Sequence, residues 1–279
     1  MTKILIIFIL LLTTCAAMAT PQMHRIISTD AAVTDLLFDF NLQDHLVAID
    51  VTSQLPEGFR KTPNIGYHRN LSAEGLLSLN PSIIIGSELM GPNKVIQTLT
   101  QAKVNFLQLP MAKTSAALQH NINQVATKLQ QQTKADALNK EIDAKVTYLK
   151  AHALKNERIA FLLSMDPNKL RLAGKNTNGS ALIKLLGAKN ISTFENYRNV
   201  SAESLLAMNP TTLIVAGRSD MSVVDELLEA QNVLRYSTAG KHNKIISIDG
   251  RVLVSGLSVA AIDEALRISK QLNTQQETD

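Results

Sequence analysis

The sequence predicts an α/β protein of two lobes joined by one long helix, and three observations carry that expectation. The segment from Asn70 to Pro81 returns at Asn199 to Pro210 at a constant offset of 129 (199 minus 70). Each copy keeps Ser-Ala-Glu, a Leu-Leu pair and a closing Asn-Pro, then runs into a β-rich stretch, Ser82 to Ile85 or Thr212 to Val215. Short β-branched runs alternate with helical periodicity on both sides of the chain's middle, as parallel α/β sheets require. Between them, residues 115 to 152 carry no strand signal and are rich in Ala, Gln, Lys, Asn and Leu.

The elements follow in order. Lys3, the apolar run Ile4 to Leu12 and the small residues ending Ala17-Met18-Ala19 have the pattern of a secretory signal peptide, so residues 1–19 are expected to be removed on export. The run is shorter than the roughly 20 apolar residues that a membrane-spanning helix needs. Leu12-Thr13-Thr14-Cys15 also resembles a lipoprotein signal, but Thr14 is bulky for that site, and free release into the periplasm is the favoured expectation. Release would leave 260 residues (279 minus 19) without cysteine, a length suited to two lobes.

In the first half, Ile26 and Ile27 open a strand, and Val33, Leu36, Leu37 and Phe40 fall at the i, i+3, i+4, i+7 spacing of an amphipathic helix. Leu46 to Ile49 gives the next strand, and a loop with Pro56, Gly58 and Pro63 leads to Gly66-Tyr67-His68-Arg69. Ser72 and Ser201 are N-caps of the repeated helix, with Glu74 and Glu203 in its first turn, where the helix dipole favours a carboxylate. Pro92 to Ala102 is expected as a helix and Val104 to Leu107 as a strand. Leu118, Ile122, Val125 and Leu129 make one helical stripe; Ala135, Leu138, Ile142 and Leu149 make another, on a helix expected from about Thr133 to Ala153. That second helix would be a stiff rod between the lobes.

The second half restarts with strands at Ile159 to Leu163 and Lys169 to Ala173, then a helix from about Gly179 ending at Gly187. After the repeat come a helix around Val223 to Leu228, strands at Ile245 to Ile248 and Val252 to Val254, and a last helix from Ser258 to Leu272.

Composition narrows the function. Without Lys3 the chain carries 27 Lys and Arg (28 minus 1) against 24 Asp and Glu, with no basic block interleaved with aromatics, which argues against nucleic-acid binding. Phosphate loops, nucleophile elbows, His-Glu-x-x-His and paired-cysteine motifs are absent, so an enzyme is not expected. The six histidines are scattered, with no two at i, i+4 on a helix, which disfavours a multi-His metal receptor.

Pro63 to Pro81, with Gly66-Tyr67-His68-Arg69, then Leu71-Ser72-Ala73-Glu74-Gly75, then Pro81, resembles a segment of the bacterial periplasmic haem-binding proteins. There it reads Gly-Tyr-x-Arg, Leu-Ser-x-Glu-Gly, and a proline before a buried strand. The similarity continues at Ser87-Glu88, Gly91-Pro92, Leu172-Ala173-Gly174 and Asn199 to Pro210. It implies the class III periplasmic binding protein fold, two Rossmann-like α/β lobes (20–132 and 155–279) joined by one long α-helix (133–154), with little hinge motion. It also implies a monomeric receptor that binds haem in the interlobe cleft and delivers it to an inner-membrane ABC permease dimer with its ATPase.

On that resemblance Tyr67 is the axial ligand of ferric haem, and Arg69 bonds its oxygen. The chemistry agrees: Fe(III) is hard and suits a phenolate, yet a free tyrosine has a pKa of about 10, so a permanent cation and the iron must favour the anion. His68 is a second pocket candidate; an extended segment would point it away from Tyr67 and into solvent. Met165 lies near where some relatives place another haem-contacting residue, although Asp166-Pro167-Asn168 replaces their Gly-rich turn. Arg171, Lys175 and Arg218 lie where propionates could be met. The resemblance further implies that Glu74 and Glu203, one per lobe, dock onto permease arginines. Four alternatives stay open: the same scaffold carries cobalamin or ferric siderophores, and a periplasmic enzyme or a haem-handling chaperone would work without a transporter.

Overall fold

The computed structural model describes residues 24–217 and 223–278. The leader expected over residues 1–19, Cys15 and Arg218 lie outside the described residues. No helix among the described residues is long and apolar enough to cross a membrane.

The first half folds as β1 (Ile26–Ser28), α1 (Ala31–Asp39), β2 (Leu46–Ala48), α2 (Ala73–Ser78), β3 (Ile83–Ser87), α3 (Asn93–Gln101) and β4 (Phe106–Leu109). Its four strands run parallel in the order β2-β1-β3-β4. The Asp30 carboxylate caps α1 by accepting the Val33 N–H at 3.0 Å, and the Val33, Leu36, Leu37 and Phe40 stripe is buried, as its spacing predicts. Two helices follow, α4 (Ser115–Leu129) and α5 (Gln132–Ala151), separated by a turn in which Gln130 is left-handed. The α5 stripe of Ala135, Ile142 and Leu149 is buried against α4 and the C-terminal helix, so this helix lies along the body and is no free-standing rod.

The second half comprises β5 (Arg158–Leu163), β6 (Leu170–Ala173), α6 (Asn178–Leu185), β7 (Lys189–Asn190), β8 (Tyr197–Val200), α7 (Ala202–Ala207), β9 (Thr212–Gly217), α8 (Val223–Ala230), α9 (Thr238–Lys241), β10 (Ile245–Asp249) and α10 (Val259–Thr278). Its sheet runs β10-β9-β5-β6-β8, with β7 also pairing β5. This sheet is mixed rather than parallel: β6 is antiparallel to both β5 and β8. The cause is legible, since only residues 164–169 join β5 to β6, far fewer than the dozen or more a parallel crossover needs. The strand expected at Val252 to Val254 is instead a 3-10 helix over Gly250–Leu253, because the Asp249 carboxylate accepts the Arg251 N–H at 3.0 Å and turns the chain.

The repeat is built twice by the same device. Ser72 and Ser201 cap α2 and α7 by accepting the N–H groups of Gly75 and Ser204, at 3.2 and 3.1 Å. At the other end of α2 the Arg25 guanidinium donates to the Leu79 carbonyl at 2.7 Å, and behind α7 Arg158 donates to the Met208 carbonyl at the same distance. The Arg25 N–H donates to the Ser82 hydroxyl, and the Arg158 N–H to that of Thr211, each at 2.8 Å.

A glycine closes α6. Gly187 sits at φ +68°, its N–H reaches the Lys184 carbonyl at 3.1 Å, and the Ala188 N–H reaches that of Ile183 at 3.2 Å, the Schellman pattern. A Cβ there would lie 2.6 Å from the Ala153 methyl carbon. Gly187→Ala therefore combines a left-handed backbone with a clash and is expected to cost roughly 1–3 kcal/mol, read as a lower urea midpoint with an unchanged slope.

Candidate ligand-binding site

Ligands of open α/β sheets sit beyond the carboxyl ends of the strands, and Tyr67 is placed there. After β2 the backbone from Ile49 to Val51 is flanked by residues 63–66: the Ile49 N–H donates to the Pro63 carbonyl at 3.0 Å, the Ile65 N–H to Ile49 at 2.9 Å, and the Val51 N–H to Gly66 at 3.0 Å. Gly66 adopts φ +84° with open space where a Cβ would be, so conformation rather than room demands glycine before Tyr67. The chain then enters a 3-10 turn over His68–Asn70, clamped by the Gly91 N–H on the His68 carbonyl at 2.9 Å and the Leu71 N–H on that of Gly91 at 2.8 Å. The Gly91-Pro92 pair noted in the sequence is thus the anchor of this turn.

That turn overrides the alternation expected of an extended segment. His68 points inward and is fully buried, in contradiction to the expected exposure; its Nδ1 donates to Asp50 Oδ2 at 3.1 Å, and its Nε2 is buried with no partner. Tyr67 remains 46% exposed, with its ring 4.3 Å from the His68 ring, centroid to centroid. Arg69 is exposed and, among the described residues, makes no bond to the Tyr67 oxygen. Met165 is 60% exposed just past β5, beside a tight turn in which Asp166 accepts the Asn168 N–H at 3.0 Å. Arg171 and Lys175 are exposed, and Arg171 lies over the Tyr197 ring at 5.6 Å. Glu74 and Glu203 are exposed in the first turns of α2 and α7. The Glu203 carboxyl is held below its usual range by its own backbone N–H and the Ser201 hydroxyl.

A cleft of about 600 Å³ lies between the halves, lined by α1, the loop 52–57 and residues 249–252, and Tyr67 does not line it. Four carboxylates, Asp35, Asp39, Glu57 and Asp249, face it with one guanidinium, Arg251, whose Nε is 2.9 Å from Asp249. Burial, then the neighbouring Asp39, pushes the Asp35 carboxyl up to about 6.

The sequence profile of the family described as periplasmic binding protein matches residues 26–252. The chain belongs to this family. Its fold is that of a class III periplasmic binding protein, two Rossmann-like lobes joined by a long helix. This periplasmic binding protein is similar to the periplasmic haem-binding protein HutB of Vibrio cholerae, with 34% identity, a TM-score of 0.81, and coverage of 90% of this chain and 99% of that one. A periplasmic haem-binding protein of Pseudomonas aeruginosa matches at 27% identity and a TM-score of 0.81, over 89% of this chain and 92% of its own. A vitamin B12-binding protein of Pectobacterium atrosepticum is 24% identical over 218 residues, 75% of this chain and 77% of its own.

Sequence reasoning missed Asp50 and Val51 in this periplasmic binding protein. Val51 is 55% exposed, and its N–H bonds the carbonyl of Gly66, the residue before Tyr67. Position alone marked both, since they directly follow a strand at its carboxyl end. In the acidic cleft the sign of the Asp35 shift fixes a pH dependence. A carboxyl raised from 3.8 to about 6 stabilises the fold below its unfolded value and loses that contribution as pH rises through about 6. Asp35→Asn is therefore expected to gain in Tm relative to wild type between pH 4 and pH 7; thermal melts across that range that show the gap closing would reverse the assignment.

Proposed function

We propose that this periplasmic binding protein captures ferric haem on Tyr67 and hands it to an inner-membrane ABC permease dimer with its ATPase. The observation that carries this reading is a half-exposed phenol held beyond the carboxyl end of the first sheet. Val51 past β2 and Met165 past β5 are the kind of exposed apolar side chains that a macrocycle covers. Arg69, two residues from the phenol, carries a permanent charge that favours phenolate when it swings to the oxygen. The similarity to HutB and to the Pseudomonas protein, both described as haem-binding, supports the same cargo.

In this reading residues 1–19 direct export, the mature chain works as a monomer in the periplasm, and lobes 20–132 and 155–279 flank the linker 133–154. His68 tunes Tyr67 from behind; Met165 and Arg218 contribute from the second lobe. The acidic cleft does not hold the porphyrin, because four carboxylates repel the two propionates that haem carries. Cobalamin is the second reading, favoured by the curated relatives described as vitamin B12-binding proteins. A ferric siderophore receptor would instead use clustered arginines, and a chaperone without a transporter would leave Glu74 and Glu203 idle.

Titration of the purified protein with haemin is expected to give a ferric tyrosinate spectrum, and Tyr67→Ala to lose it with at least a tenfold drop in affinity. Equal spectra and affinities would remove Tyr67 as ligand, and saturable uptake of cyanocobalamin but not haemin would move the cargo to the second reading. Docking has a separate expected outcome: Glu74→Ala combined with Glu203→Ala keeps haem affinity and abolishes transfer to the reconstituted transporter. Loss of haem affinity in that double variant would reject the docking role.

A further inference from the structure

Behind Tyr67 lies a buried polar seam that packing alone does not explain. Asp50 is fully buried and accepts five contacts: Thr52 Oγ1 at 2.9 Å on each carboxylate oxygen, the Ser53 N–H at 3.1 Å, Ser53 Oγ at 3.0 Å and His68 Nδ1 at 3.1 Å. The seam continues inward from Ser53 to Thr34 of α1 at 2.7 Å, and from Thr34 to Ser28 of β1 at 2.8 Å. It therefore ties the loop that carries the aromatic pair to two rigid elements of the first lobe.

A carboxylate only accepts, so Nδ1 donates in this contact, and Nε2 has no partner of its own. That nitrogen is buried without a partner, an arrangement that costs free energy which a phenylalanine in the same place would not. What the imidazole supplies instead is orientation. Asp50 fixes the rotation of the ring, and the flat face so fixed lies 4.3 Å from the Tyr67 ring at 48°. Tyr67 has nearly half its surface in solvent, and without that wall its two side-chain torsions are free to carry the phenol oxygen away from a bound iron.

We propose that Asp50 and His68 are positioning residues that hold the Tyr67 phenol at the angle ferric haem requires. The inference rests on Tyr67 as the iron ligand and assigns the second layer behind it. A carboxylate that orients a metal-ligating histidine changes affinity by roughly 10–100-fold when removed, and the same scale is expected for a pair that orients a ligating tyrosine.

Two substitutions separate orientation from folding. His68→Asn keeps a side-chain N–H for Asp50 but removes the ring; His68→Phe keeps a ring but removes the bond. Each is checked for a native melt, then titrated with haemin while the charge-transfer band and the iron–phenolate vibration are recorded. Tyr67 ring resonances in the haem-free protein, assigned against Tyr67→Phe, give a readout independent of haem. His68→Asn is expected to bind haemin about 10–100-fold more weakly, with a broadened iron–phenolate band and loss of the ring-current shift on Tyr67. His68→Phe is expected to recover part of that shift and part of the affinity. If wild type ligates haem through Tyr67 and a folded His68→Asn matches it in both spectrum and affinity, the positioning role is rejected while the ligand stands. If wild type takes up no haem, the ligand assignment fails and the positioning role with it. Should either His68 variant not fold, Asp50→Asn, which nearly preserves shape, is judged by the same spectra and the same rule.

Discussion

Besides a cluster of its own in each half, the two sheets share a third apolar core, and the geometry of the site depends on that sharing. A single cluster of buried side chains runs from Ile26 and Ile85 in the first sheet through α1, α4 and α5 to Phe161 and Ile248 in the second and Ile262 in α10. Lobes that closed only cores of their own would be free to swing, since small polar contacts between domains resist rotation weakly. Here a swing would expose apolar surface at about 25 cal/mol per Å². The backbone adds its own tie, a parallel bridge between Ala112 and Gly256 in which the Leu257 N–H donates to the Ala112 carbonyl at 2.7 Å. The strand ends of both sheets are therefore held by packing and by a backbone tie that the two halves share.

On that frame several buried polar side chains of the first lobe join in one seam. Ser28 of β1, Thr34 of α1, Asp50 after β2 and His68 of the 3-10 turn are all buried polar residues. Each such group gains little in net stability from its bond and is costly when left without one, so a connected seam specifies geometry more than it stabilises. The geometry it specifies is that of residues 50–53 and 66–68, the loop pair that presents Tyr67. Among the described residues the second lobe shows no matching seam: its buried carboxylate, Glu157, sits at the amino end of β5, bonded to Thr212 at 2.8 Å and paired with Lys244 at 2.9 Å. The buried seam behind Tyr67 thus belongs to the first lobe.

Much of the fold was legible because hydrophobic period survives burial. The stripes through Val33, Leu118 and Ile142 name their helices, and Ser72 and Ser201 mark helix starts by a bond that spans only three residues. What could not be read were features fixed by distant contacts. His68 was expected in solvent because side-chain alternation holds only while the chain stays extended, and the turn that breaks it is pinned by Gly91, over twenty residues on. Asp50 carried no motif, since an aspartate after a strand gives no sign of the histidine that completes it. The antiparallel β6 was within reach, because six residues cannot hold a crossover helix, but the alternation of the first half suggested a parallel sheet throughout.

The repeat bears on how the protein would meet a transporter. A permease dimer presents two equivalent surfaces, so a docking role for Glu74 and Glu203 demands that both helices be held in the same relation to their sheets. The lobes around them differ: one sheet is parallel and the other mixed. Yet the serine cap, the arginine reaching across to the end of the helix, and the strand-edge hydroxyl recur at matching distances in both. Stability alone does not ask for that match, because a short helix can be ended in many ways at similar cost. A requirement that two carboxylates be offered in equivalent frames does ask for it, and it is met by the part of each lobe least altered between the copies.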